Sequence, residues 1–144
     1  MSVIRSILAI VAGILLITLI VEPLEFALVA LVNGGIVTDP ASYFHVRNQP
    51  AFLVAKLVYN TGAAIAGGFA AARIARRAPR AHGLVLAVLQ TAAFGWALAN
   101  PALRQTTPDW MWFALIIVTC AGIMFGAELH RKRSLSPTRR DGGT

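Results

Sequence analysis

Apolar residues run along this chain in four long blocks separated by short polar stretches, at roughly residues 3–32, 51–72, 83–100 and 110–129. Each block has about the eighteen to twenty or more residues that a helix needs to cross about 30 Å of hydrocarbon. At that length only a helix satisfies its own backbone hydrogen bonds in lipid. None of the blocks alternates apolar and polar positions with the two-residue period of a barrel strand. The pattern therefore predicts an all-α protein, an integral membrane four-helix bundle occupying residues 1–133.

The first block is the longest, roughly 45 Å as a helix, and exceeds the bilayer. Pro23 lies inside it, lacks the N–H that would bond Leu19, and crowds that carbonyl. A kink near Leu19 to Pro23 is expected, with tilt absorbing part of the excess length. Arg5 followed by an apolar core resembles a secretory leader, but the run is too long and no small-x-small cleavage site follows, so an uncleaved span is expected. The stretch 33–50 leaves room for a short interfacial helix around 41–46. Trp110 and Trp112, after the short stretch 101–109, would mark an aromatic belt. The tight turn at 75–82 makes the second and third spans antiparallel neighbours. Residues 134–144 read as a disordered basic tail.

Composition agrees with this pattern and charge adds a direction to it. Hydrophobic residues are 57% of 144, charged residues only 13%, and the mean hydropathy is +0.68. The net charge of +7 does not describe a nucleic-acid surface, because the basic residues flank apolar blocks instead of mixing with aromatics. Arg5, Arg73, Arg76, Arg77, Arg80, Arg131, Lys132, Arg133, Arg139 and Arg140 fall on one side of the four spans, and Arg47 and Arg104 on the other. By the positive-inside rule both termini are cytoplasmic, an N-in/C-in arrangement. The basic tail would meet anionic lipid at the cytoplasmic face.

Within the spans a few residues could carry chemistry. Glu22 lies seventeen residues beyond Arg5, Lys56 seventeen before Arg73, and Asn100 eighteen beyond His82. At 1.5 Å per residue all three stand roughly 25 Å above the arginine level. A polar layer is thus expected from Glu22, Glu25, Lys56, Asn60 and Asn100, bordered by Tyr59. Lys56 is expected to pair with Glu22, or failing that with Glu25. Ionisable groups in spans are costly and often functional, yet a salt bridge fixing helix register explains this layer as well. Lys56, Asn60, Ala63, Gly67 and Ala71 recur at three- and four-residue steps, a stripe expected to pack inside the monomer, with Val54, Val58, Ile65 and Phe69 facing lipid. Gly122 and Gly126 form a GxxxG that serves packing or dimerisation. Ala66-Gly67-Gly68-Phe69 before Arg73 faintly repeats as Ala121-Gly122 and Phe125-Gly126 before Arg131, a match that chance between Gly/Ala-rich spans explains equally.

Catalytic signatures are missing from the sequence. The three histidines are dispersed, no HExxH or phosphate loop occurs, and the single cysteine, Cys120, excludes an internal disulfide. No metal, cofactor or catalytic residue is expected.

Taken together, these motifs resemble those of small bacterial four-span inner-membrane proteins that carry no assigned activity. The likeness covers most of residues 3 to 130. It rests on Arg5-Ser6-Ile7-Leu8-Ala9 with Ala12-Gly13, on Glu22, and on Tyr59. It continues through Ala66-Gly67-Gly68-Phe69, Ala71-Ala72-Arg73, Pro79 to His82, and Pro108 to Trp110. The chain departs in placing Lys56 and Asn60 around the tyrosine, where a basic residue directly after it is the pattern. The resemblance implies the fold and no activity.

Two functions of different kind follow. The first is a non-enzymatic structural or interaction protein, whose partners are the bilayer and a membrane-protein partner or a second copy. The second is a small transporter or ion-conducting subunit, dimeric, using the Glu22/Lys56 layer.

Overall fold

A computed structural model describes residues 3–135. Among them the chain is all helical: α1 (Val3–Asn33), α2 (Pro40–Arg47), α3 (Pro50–Ala75), α4 (Pro79–Ala99), α5 (Pro101–Arg104) and α6 (Asp109–Leu135). Four of these, α1, α3, α4 and α6, are long and apolar enough to cross a membrane. The boundaries follow local chemistry. Pro50, Pro79 and Pro101 open helices at positions where the missing N–H is not needed. Asp39 caps α2 by accepting the Ser42 N–H at 2.8 Å, and these bonds hold the Asp39 carboxyl below its usual range. α1 runs without interruption through Pro23. α6 continues through residues 134–135, where the sequence predicted the tail to begin; the rest of that tail lies outside the described residues.

The four long helices pack in the cyclic order α1, α3, α6, α4, and the largest contact is α3 with α6. α1 runs antiparallel to α3: Arg5 Nε donates to the Ile74 carbonyl at 2.8 Å at one end, and Tyr59 meets Glu25 at the other. α4 is likewise antiparallel to α6, bonded through Arg80 to Glu128 at 2.9 Å and through Thr91 to Cys120 at 3.1 Å. The tight turn expected between α3 and α4 is present, with Arg76 and Ala78 at positive φ. α4 nonetheless packs more extensively on α6 than on α3.

The α3–α6 contact is reciprocal. A Cβ on Gly68 would strike the carbonyl of Ile123, and a Cβ on Gly126 would strike the carbonyl of Ile65. These residues hold equivalent places in two octets, Thr61-Gly-Ala-Ala-Ile65-Ala-Gly-Gly68 and Thr119-Cys-Ala-Gly-Ile123-Met-Phe-Gly126. The two helices are parallel and related by a local two-fold axis along the bundle. The faint repeat therefore has structural counterparts, but in a register that differs from the one expected. The Gly122–Gly126 pair faces α3 of the same chain, and Gly67 faces Ile17 and the Gly13 carbonyl of α1. Ile65 and Phe69 correct the expected exposed face. Val54 and Val58 are exposed, but Ile65 and Phe69 are half-buried against α6.

The core is built from small residues, with Ala63, Ala64, Ala71 and Ala87 around Ile17, Leu86 and Ile123. Large apolar side chains point outward instead, Leu15, Leu19, Val58, Val88, Ile117 and Phe125 among them. Trp110 is exposed while Trp112 is buried, edge-on to Phe94, so only the first matches a surface belt.

Candidate functional site

The end of the bundle opposite Arg5, Arg73 and Arg131 holds a buried cluster of charge around one carboxylate. Glu25 is 5% exposed. It lies on the buried face of α1 with Ala9, Gly13, Ile17 and Val29, positions separated by four residues or a multiple of four. Lys56, on α3, is buried too, and its Nζ lies 2.7 Å from Glu25 Oε2. The same oxygen accepts the Tyr59 hydroxyl at 2.7 Å. The other oxygen, Oε1, lies 2.7 Å from Arg47 Nε of α2 and accepts the Tyr43 hydroxyl at 3.4 Å. Arg47 Nε approaches without aligning its N–H on that oxygen, so the contact is an ion pair rather than a hydrogen bond. One carboxylate thus joins three helices through two cations and two phenols.

α2 is held over this cluster by apolar contacts. Val46 packs with Val29 of α1 and Phe52 of α3, and Leu28, Val37 and Tyr43 border them. Its C-terminal end is tied down by Asn48, whose Nδ2 donates to the Thr106 carbonyl at 3.1 Å. Arg47 and Tyr43, four residues apart, therefore face the bundle. Burial first, then the Glu25 carboxylate, pushes the Tyr43 phenol up to about 12.

The expected polar layer is present only in part. Glu25, Lys56 and Tyr59 come together. Glu22, the first choice of partner for Lys56, is exposed on the outside of α1 and does not meet Nζ. Its position misses the four-residue stripe that α1 turns to the bundle. Asn60 is buried, but its Nδ2 bonds the Lys56 carbonyl at 2.8 Å, an internal helix contact. Asn100 is committed elsewhere, capping α5 by accepting the Ala102 N–H at 3.0 Å. Tyr43 falls inside the short helix expected at 41–46 and Arg47 just beyond it, and neither was expected in the polar layer as a partner of the carboxylate. Their i, i+4 spacing in a segment able to form a helix was the signal that could have placed them.

The carboxylate is saturated by four partners, and among the described residues no three of His, Cys, Asp or Glu gather as metal ligands. Surface grooves lie elsewhere, between α1 and α4, between α1 and α6 over α3, and beside α2. No protein-family model, curated protein or solved structure matches the chain.

Proposed function

We propose that this is a small four-span protein of the bacterial inner membrane, both termini cytoplasmic, acting as a non-enzymatic structural or interaction protein. The observation that carries the proposal is the Glu25 cluster: buried, bound on both oxygens, and shared by α1, α2 and α3. In hydrocarbon an unpaired ion is unfavourable by about 2.5–3.5 kcal/mol at a helix centre. A paired one fixes the register of its helices. Four long apolar helices, outward-facing Leu, Ile, Val and Phe, and a core of alanine and glycine support the membrane reading. The one-sided basic residues support its orientation.

Conduction through the same layer would need water to reach Lys56 and Glu22. Lys56 is buried against Glu25 and Glu22 is on the exterior, which favours the structural reading. Reporter fusions after Ser42 and after Arg140 test the topology, with opposite sides expected. Proteoliposomes test the role, with a proton gradient expected to decay no faster than in empty vesicles. A leak abolished by Lys56→Met would transfer the assignment to a conducting subunit.

A further inference from the structure

A groove of about 420 Å³ runs along α3 between α1 and α6. Gly62, Ala66 and Ala70 form its floor, Leu16 of α1 and Leu129 of α6 its walls, and Arg73 and Arg133 its end. We propose that it is a binding site for one anionic phospholipid, an acyl chain lying along the floor and the phosphate held between the two arginines. The proposal rests on the membrane reading above.

Three observations support it. First, Gly62 is a mid-helix glycine with no packing reason inside the chain: a Cβ there would meet nothing within 4 Å. The other glycines of α3, Gly67 and Gly68, each press against a neighbouring helix. Glycine in a helix interior is unfavourable relative to alanine, and here it keeps a trough open. Second, the charge at the end of the trough is of one sign. Arg73 is exposed and forms no ion pair among the described residues, and the Arg133 guanidinium sits 5.6 Å over the Phe69 ring, which holds it at the rim. Glu128, the acidic residue of this end among the described residues, is turned toward α4 and bonded to Arg80 and Arg131. Third, the spacing fits the ligand. The floor runs eleven residues from Gly62 to Arg73, roughly 16 Å of apolar trough ending in charge.

A second copy of the chain would also fit a floor of small residues. A two-fold dimer through this face, however, would bring the Arg73 and Arg133 of both copies together with no acid of the described residues between them. Charge complementarity therefore selects the lipid.

The test is native mass spectrometry of the full chain in mild detergent, titrated with phosphatidylglycerol, with phosphatidylcholine of the same chains, and with inorganic phosphate. Sedimentation with membranes and release only by detergent are measured first, since their failure removes the membrane reading itself. The expected result is one phosphatidylglycerol bound per chain in preference to phosphatidylcholine, with no retention of phosphate. Arg73→Gln with Arg133→Gln should weaken it about 25-fold, about fivefold for each arginine. Gly62→Phe, whose Cβ enters open space and whose ring would occupy the trough, should abolish it while the protein stays folded. Equal binding of both lipids, or unchanged binding in the double arginine variant, overturns the site; the arginine arm decides should Gly62→Phe fail to fold. A lipid-independent dimer lost in Gly62→Phe also overturns it, in favour of a second copy.

Discussion

Gly126 of α6 sits against the carbonyl of Ile65 on α3, so close that no β-carbon fits between them. With the reciprocal contact of Gly68 with Ile123, α3 and α6 are the most extensively packed pair in the bundle. Such proximity replaces the hydrophobic drive that helices lack in lipid. Gly126→Ala should therefore push the helices apart and lose at least about 2 kcal/mol, as overpacked sites do. Gly62→Ala is the opposite case and should gain about 0.5–1 kcal/mol, because its Cβ enters open space and only helix propensity changes. Thermal unfolding in detergent measures both, and equal effects from the two would contradict the packing described.

Thr119 gives a prediction of different sign. It is 2% exposed, and its hydroxyl has no hydrogen-bond partner among the described residues. Burying such a group without a bond is unfavourable by about 1–3 kcal/mol. Thr119→Val keeps the shape and removes the polar atom, so the variant should melt higher than the parent by about 1 kcal/mol in the same assay.

Tyr43 reports the environment of the cluster optically. The chain has two tyrosines, so Tyr59→Phe leaves Tyr43 as the sole phenol to titrate. Its phenolate should form with a midpoint of about 12 in the folded protein, against the ordinary value of about 10 in the unfolded chain. The neutral phenol is the favoured form. Its contribution to stability is therefore complete below pH 10 and lost as pH rises toward 12. A midpoint near 10 before unfolding would mean that α2 does not lie over Glu25.

Much of the fold was legible because hydrophobic length is a local signal. The four long helices follow from it, and the length of the stretch 33–50 left room for the short α2. That Lys56 would meet a glutamate of the first helix was legible as well, since rise per residue is fixed and Arg5 and Arg73 provide a baseline. Which glutamate enters the bundle was harder to read. Glu22 and Glu25 differ by three residues, and only the four-residue stripe from Ala9 through Gly13, Ile17 and Val29 distinguishes them. Arg47 was out of reach of span-based reasoning because its placement depends on Val46 meeting Val29 and Phe52 across three helices. Asn100 stood at the right height, yet a helix start beside it claimed its side chain.

The claim that Glu25 locks three helices together is tested most directly by a double-mutant cycle with Glu25→Gln and Lys56→Met, scored by thermal stability in detergent. Glu25→Gln leaves Lys56 and Arg47 without their shared anion and should cost about 3–5 kcal/mol. Lys56→Met should cost less, since Arg47 still balances the carboxylate. The double variant should lose less than the sum of the singles by at least about 1 kcal/mol. Glu22→Gln, the control on the exposed face, should stay within about 0.5 kcal/mol of the parent. Additive losses at Glu25 and Lys56, or a Glu22→Gln variant as damaged as Glu25→Gln, would contradict the account.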